Sequence, residues 1–393
     1  RINSIKPMDD MTVVFRVDAS AQIGVGHLMR CLTLAGQLNQ KGLACHFIIR
    51  KQLGSLEKLV VARGHTLHLL PEIIKDDEIV SPTTVNNQSG KVLNYKSWLT
   101  GGWTRDAEEC LKIISHIKPG WLIVDHYAID DRWEKVFLDV CENILVIDDL
   151  ANRKHKCSLL LDQTFMQSPD KYLSLVPAGA EVLCGSQYAL LRPQFAATRE
   201  FSLTRRNPPK LDRLLITMGG ADKANITSEV LATLKYSDLA SISQITVVMG
   251  FAAPWVDDIR VQADAMPYAT SVLVGVEDMA VLMAEHDLVI CAAGSTVWEC
   301  CCLGLPSILI VAAENQKENC KILASHNVVQ MIGSADRVRK ELISKVEFFA
   351  GDLNELSRCT EQMKLITAGL GAEIVGKKVL AKCAGNNRGI DFE

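Results

Sequence analysis

Short apolar runs of strand length alternate along this chain with stretches in which apolar residues recur every three or four positions. The first run, Thr12-Val13-Val14-Phe15-Arg16-Val17-Asp18, is rich in β-branched residues and predicts a buried parallel strand. Beyond Ala19 to His27, the spacing of Leu28, Cys31, Leu32, Ala35 and Leu38 predicts a helix closed by Lys41-Gly42. Ala44 to Ile49, Trp121 to Asp125, Asn143 to Asp148 and Ser158 to Asp162 predict further strands, with helices over Asp106 to Ile117 and Asp131 to Val140. Residues 71–104 are polar, hold Pro82 and read as a loop-rich insertion. Thr198 to Lys210, with Arg205, Arg206, Pro208 and Pro209, reads as a linker. The alternation then restarts. Strands are predicted at Leu214 to Met218, Ile245 to Met249, Ser271 to Val274, Leu288 to Cys291 and Ser307 to Val311, with a helix over Ile226 to Leu234. The end, Ala384 to Glu393, is expected to fray. This order predicts an α/β protein of two Rossmann-like, doubly wound parallel-sheet domains, residues 1–200 and 201–393, facing a cleft.

Composition narrows the functional classes. Of 393 residues, 48% are hydrophobic and 22% charged, ordinary values for a globular enzyme that exclude collagen, coiled coil and wholesale disorder. A net charge of −4 supplies no broad basic field for nucleic acid or acidic membranes. No apolar run reaches the length of a membrane span, and the residues before Met11, the expected start of the fold, lack the apolar core of a secretion signal. Thirteen scattered cysteines, three of them adjacent at Cys300 to Cys302 and none in CxxC spacing, suit buried packing in a reducing cytoplasm. No metal and no cofactor are expected. A monomer is the expected state.

Candidate chemistry sits where strands meet helices. Gly24-Val25-Gly26-His27 lies between a strand and a helix, where glycines admit close backbone approach and free N–H groups attract a diphosphate. A dinucleotide site fits poorly, because Met29 stands where GxGxxG needs Gly or Ala and the second strand ends in Ile49-Arg50 instead of an acid. A tight turn without a ligand is the plain alternative. His27 sharpens the picture, since the positive end of a helix disfavours imidazolium and leaves a ring able to take a proton. The plain reading is a histidine that caps the loop. Gly294-Ser295-Thr296 opens a helix with hydroxyls suited to phosphate oxygens, and Glu299 is either a capping-box carboxylate or an acceptor of ribose hydroxyls. Gly219-Gly220 is the corresponding glycine turn, and the Val274 to Met279 turn around Val276 offers backbone groups for a base edge. Tyr127, after a strand end, contacts a phosphate or sugar or else occupies a surface turn. Asp148 and Asp149 are adjacent in an extended chain, point in opposite directions and do not form a two-acid glycosidase pair. Glu314-Asn315-Gln316 is a polar cluster of the kind that lines a cleft.

Taken together, Phe15-Arg16-Val17-Asp18 with Gln22 to His27, Val124 to Tyr127, Ile147 to Ala151, Leu190 to Phe195, and Ala293 to Thr296 with Trp298-Glu299 and Gly304-Leu305-Pro306 resemble the pseudaminic-acid-pathway UDP-sugar hydrolases. Those enzymes are similar in architecture to MurG-type GT-B glycosyltransferases. The resemblance runs from about Thr12 to Gln316 and departs at the 71–104 insertion and the C-terminal length. It implies metal-independent, cytoplasmic hydrolysis of UDP-2,4-diacetamido-2,4,6-trideoxy-β-L-altropyranose to free sugar and UDP. His27 is then the water-activating base, Tyr127 and Asn315 lie near the reacting sugar, and Glu299 holds the ribose. Asp18, Gly24, Gly26, Gly219, Gly220, Val276, Gly294, Ser295, Thr296 and Gln316 complete the expected substrate contacts. Two competitors stand beside this expectation: a GT-B glycosyltransferase using a UDP-sugar donor, and a non-catalytic nucleotide-sugar binding protein.

Overall fold

The computed structural model describes residues 11–20, 23–51, 57–73, 95–220, 222–237, 239, 241–251 and 253–385. Described residues within Arg1–Asp162, Pro169–Leu183 and Lys382–Glu393 form one compact unit, and those within Gln163–Ser168 and Cys184–Ala381 form the other. The division thus falls at Leu183/Cys184, earlier than the expected 200/201.

In the first unit, the strands β1 (Thr12–Val17), β2 (Ala44–Arg50), β3 (Thr66–Leu70), β4 (Trp121–Asp125), β5 (Asn143–Ile147), β6 (Leu159–Asp162) and β7 (Glu181–Cys184) lie in the order β3-β2-β1-β4-β5-β6-β7. Pairing is parallel from β3 through β6. The central strand β4 is buried at every residue, so its sequence is an unbroken apolar run ending in an acid. Helices α1 (Gly26–Asn39), α2 (Glu57–Ala62), α3 (Gly102–Ile117) and α4 (Asp131–Glu134) accompany the sheet. Two expectations shift here. The helix predicted from Asp106 begins at Gly102, after Gly101 in the left-handed region (φ 83°), and Tyr95–Trp98 already forms a 3-10 turn, so the insertion ends in ordered structure. Residues 74–94 of the insertion lie outside the described residues, as do Gln22 of the resemblance segment and 386–393 of the predicted frayed end. The helix predicted over Asp131 to Val140 is one turn capped by Asp130, whose side chain accepts from Arg132 N at 3.1 Å, followed by a 3-10 turn at Lys135–Phe137.

The second unit holds β8 (Arg213–Thr217), β9 (Gln244–Met249), β10 (Ala269–Val274), β11 (Leu288–Ala292), β12 (Ser307–Ile310) and β13 (Gln330–Ile332), parallel in the order β10-β9-β8-β11-β12-β13. Its helices are α5 (Pro193–Arg205), α6 (Ile226–Leu234), α7 (Val256–Asp264), α8 (Met279–Ala284), α9 (Thr296–Leu303), α10 (Lys317–Ser325), α11 (Val338–Gly351), α12 (Asn354–Met363) and α13 (Gly371–Gly385), the last running into the first unit at Lys382. The expected linker at Thr198 to Lys210 is corrected: its first half is the end of α5. This helix docks largely through polar groups. Ser202 Oγ donates to Leu303 O at 2.7 Å, and Arg199 Nη2 donates to Lys364 O at 2.7 Å, so no apolar stripe announces it. Cys300, Cys301 and Cys302 are fully buried core residues, and the described cysteines are all free thiols.

Candidate active site

The first constellation is assembled at the C-terminal ends of β1 and β4. Beyond β1 the chain folds back at Ser20, where Gly24 N donates to Ser20 O at 2.9 Å and Ile23 N to Ser20 Oγ at 3.1 Å. Gly24 adopts φ 85°, a left-handed conformation that favours glycine. Helix α1 then starts without a side-chain cap from Val25 and puts His27 and Arg30, three residues apart, on one face. Parallel pairing sets Val17 against Asp125, which brings the acid at the end of β4 to that face. His27 Nδ1 lies 2.6 Å from Asp125 Oδ1, and the Arg30 guanidinium forks onto the same carboxylate through Nε to Oδ2 at 2.6 Å and Nη2 to Oδ1 at 2.7 Å. Burial pushes the Asp125 pKa up, but Arg30 and then His27 outweigh it and hold the carboxyl well below the usual range. An ionised carboxylate accepts only, so the proton of a neutral His27 sits on Nδ1 and Nε2 carries the lone pair. Asp125 therefore fixes ring and tautomer, a contribution that helix position alone does not supply.

Tyr127 is not a surface-turn residue. Only 5% of it is exposed, its OH donates to Asp149 Oδ1 at 2.6 Å, and its ring meets His27 edge-on at 4.7 Å between centroids. Burial and the nearby Asp149 charge raise its phenol well above the usual value. Asp149 also lies 3.4 Å from Arg30 Nη1, while Asp148 turns to different partners, Arg153 Nη1 at 2.6 Å and Ala151 N at 3.0 Å.

Asp18 requires a correction. It is 1% exposed, and its oxygens accept from Arg16 and from Arg50 N at 2.8 Å and lie 3.3 Å from His126 Nε2, so it supports the site from beneath and is not open to a ligand. Arg16 and Arg50 both reach Asp106 of α3, at 2.7 and 2.8 Å, and Trp133 Nε1 donates to the same carboxyl at 3.0 Å. His126 Nδ1 accepts from Ala128 N at 3.1 Å, which leaves its Nε2 proton facing Asp18. One buried ionic scaffold thus ties β1, β2, α3 and the turn that carries Tyr127.

The second constellation belongs to the other unit. Gly294-Ser295-Thr296 leads from β11 into α9, and Ser295 makes no side-chain cap bond. The capping-box reading of Glu299 is therefore overturned: the carboxyl faces Arg192, whose Nη2 lies 3.6 Å from Oε1. Burial raises the Glu299 pKa against the lowering effect of Arg192. Arg192 stacks over the Phe195 ring at 5.2 Å and donates from Nη1 to Glu277 O at 3.5 Å, so one guanidinium connects Glu299 with the turn that carries Val276. Gln316 approaches Gly294 closely enough that a Cβ there would stand 3.5 Å from its Nε2, and Asn315 is exposed on the same short turn. Gly219 (φ 83°) and Gly220 follow β8, and the Gly220 carbonyl packs so tightly on Gly250 that a Cβ there would come within 2.1 Å. The structure thus groups His27 with Tyr127 in one unit, and Glu299 with Val276 through Arg192, and Gly294 with Gln316, in the other. Sequence reasoning placed Asp125, Asp149 and Arg192 in its motif segments without giving them a role, and it missed Arg30 and the aromatic pair Tyr95 and Trp98. The available signals were an arginine one turn after His27 and two strands that end in acids.

Among the described residues, no helix is long and apolar enough to cross a membrane, and no group of three or more His, Cys, Asp or Glu could hold a metal ion.

Residues 182–366 match the profile of the glycosyltransferase family 28 C-terminal domain. The chain is 29% identical over 321 residues to the UDP-2,4-diacetamido-2,4,6-trideoxy-beta-L-altropyranose hydrolase of Campylobacter jejuni, covering 80% of this chain and 96% of that protein. It is 24% identical over 312 residues to the uncharacterized protein MJ1062 of Methanocaldococcus jannaschii, covering 78% of this chain but only 57% of that longer relative. In three dimensions it is similar to Acinetobacter baumannii MurG, with a TM-score of 0.65 at 14% identity over 94% of this chain and 99% of that one. The architecture is GT-B-like, with two Rossmann-like parallel-sheet domains of 7 and 6 strands.

Proposed function

We propose that this chain is an enzyme acting on a UDP-sugar, and that it hydrolyses the bond between the anomeric carbon and the diphosphate. The observation that carries the reading is the 2.6 Å contact between His27 Nδ1 and Asp125, with Nε2 left as the basic nitrogen. In this mechanism Nε2 takes a proton from water as the water oxygen bonds to the anomeric carbon. The carbon–oxygen bond to UDP breaks and its electron pair leaves with the nucleotide. Asp125 stabilises the imidazolium as it forms, and Arg30 keeps that acid ionised throughout. Tyr127 braces the ring. The second unit takes the nucleotide: N–H dipoles at Gly294 to Thr296 meet the diphosphate charge, Glu299 accepts the ribose hydroxyls, Val276 borders the base, and Asn315 and Gln316 extend toward the sugar. Gly24 and Gly26 in the first unit, and Gly219 and Gly220 in the second, admit close backbone approach of a ligand. The similarity to the Campylobacter jejuni hydrolase supports UDP-2,4-diacetamido-2,4,6-trideoxy-β-L-altropyranose as the substrate and a place in pseudaminic acid biosynthesis. Turnover in ¹⁸O-labelled water tests the reading. Label in the sugar is expected, and label in UDP, which means attack at phosphorus, overturns it.

The glycosyltransferase family 28 profile over residues 182–366 favours a second reading, transfer of the sugar to an acceptor. Incubation of the UDP-sugar without any acceptor separates the two. Stoichiometric release of free sugar supports hydrolysis; negligible release supports transfer.

A further inference from the structure

The imidazole of His27 is roofed by aromatic rings from a segment that neither constellation uses. Trp98, on the 3-10 turn at the end of the insertion, stacks on Tyr127 with centroids 5.4 Å apart and planes 25° apart. It stands edge-on to His27 at 6.2 Å and to His126 at 6.5 Å, and Tyr95 packs against both Trp98 and Tyr127 at 4.9 Å. His27 and Tyr127 are buried, whereas Trp98 and Tyr95 are half-buried, so indole and phenol contribute accessible surface close to the imidazole. The turn is anchored on its C-terminal side. Leu99 is buried, Gly102 N donates to Leu99 O at 3.0 Å, and α3, which begins there, is bound through Asp106 to Arg16 of β1.

We infer that Trp98 is the surface on which the sugar of the nucleotide-sugar packs, which makes the end of the insertion a specificity-determining element for sugars with an apolar flank, such as 6-deoxy and N-acetylated sugars. The inference rests on the UDP-sugar reading above and deepens it. An aromatic face favours C–H groups and methyls and offers no hydrogen bond to a hydroxyl. Tyr127 cannot take this role, because its OH is committed to Asp149 and its ring lies beneath Trp98. An apolar contact of this kind discriminates by about 10- to 200-fold.

The test compares the affinities of UDP and of UDP-2,4-diacetamido-2,4,6-trideoxy-β-L-altropyranose by calorimetry in His27→Gln protein, where turnover does not interfere, with Trp98 intact or changed to Ala or Phe. The sugar is expected to add affinity over UDP. Trp98→Ala should erase at least about tenfold of that gain with UDP affinity unchanged, and Trp98→Phe should restore most of it. The inference is overturned if the sugar adds nothing with Trp98 intact, if the gain survives Trp98→Ala, or if UDP binding weakens in parallel. Acceptor-free sugar release by the unmodified chain is measured separately. No release alongside a Trp98-dependent gain overturns hydrolysis and leaves the subsite standing, while release alongside a Trp98-independent gain does the reverse.

Discussion

A carboxylate shared by an imidazole and a guanidinium does two things for His27. It holds the ring through Nδ1, and in the proposed mechanism it stabilises the charge that arrives when Nε2 takes a proton. A positioned base contributes about 10²–10⁴-fold to rate, so His27→Gln should lower kcat by that factor while UDP affinity, measured by calorimetry, stays within a few-fold. Asp125→Asn is expected to act at two levels. It frees the ring to adopt the other tautomer, so kcat should fall by about the same 10²–10⁴-fold range. It also leaves the buried Arg30 with Asp149, at 3.4 Å, as its remaining charge partner, a loss of up to about 3–5 kcal/mol that a shift of the urea midpoint would register. A variant with wild-type kcat would remove Asp125 from the mechanism. The role proposed for Glu299 is binding: Glu299→Ala should raise KM for the UDP-sugar more than it lowers kcat, and equal loss in both would point to a disturbed fold.

At the scale of elements, Gly24, whose N–H donates to Ser20 O at 2.9 Å, stands two residues before α1 and so bears on where His27 stands. Gly24→Ala keeps the loop sequence but forces an L-residue into φ near 85°, a cost of about 1–2 kcal/mol. No atom lies within 4 Å of the added Cβ, so steric crowding is not the cause. Either the loop keeps its path and stability falls by that amount, or the loop relaxes and kcat falls. Unchanged melting and unchanged kcat together would show that the turn does not position the base. The same scale explains what was legible in the sequence. Strands β4 and β11 are buried along their whole length, and their apolar runs ending near Asp125 and Gly294 made the fold legible and marked the two strand ends where the candidate residues lie. The edge strand β3, with its partly exposed Thr66-Leu67-His68-Leu69, and the three-residue β13 have no such run and were not predicted. Helix α5 was hidden because Arg199 and Ser202 dock it through carbonyls. Partners far apart in sequence, such as His27 with Asp125 or Glu299 with Arg192, depend on register and topology, which no local pattern encodes.

For the whole molecule, buried charge makes stability a function of pH, and the sign follows from the direction of each shift. Asp18, Asp106 and Asp125 have carboxyls held below their ordinary value, chiefly because arginines outweigh the cost of burial. Each favours the ionised form in the folded chain, so its contribution is complete above the unfolded pKa of about 3.9 and is lost as pH falls further. The histidines of the first sheet act at higher pH. His46 on β2 and His68 on β3 stack with centroids 5.2 Å apart and a 2.9 Å contact between Nδ1 and Nε2, and burial lowers both, with His68 adding to the effect on His46. His65, beside Phe47, is lowered by burial and by Arg63. A lowered histidine favours the neutral folded form, so this contribution is complete above about pH 6.5 and declines as pH falls through the folded values. Two separate losses are therefore expected on acidification, a shallow one beginning below about pH 6.5 and a steep one below about pH 4. Urea midpoints measured from pH 8 to pH 3 would resolve them. In the double variant His46→Gln/His68→Gln the shallow phase should shrink while the steep one remains, because Asp18, Asp106 and Asp125 are held by Arg16, Arg30 and Arg50 and by neither of these histidines. A shallow phase that persists undiminished in the double variant would assign it to groups other than this stacked pair.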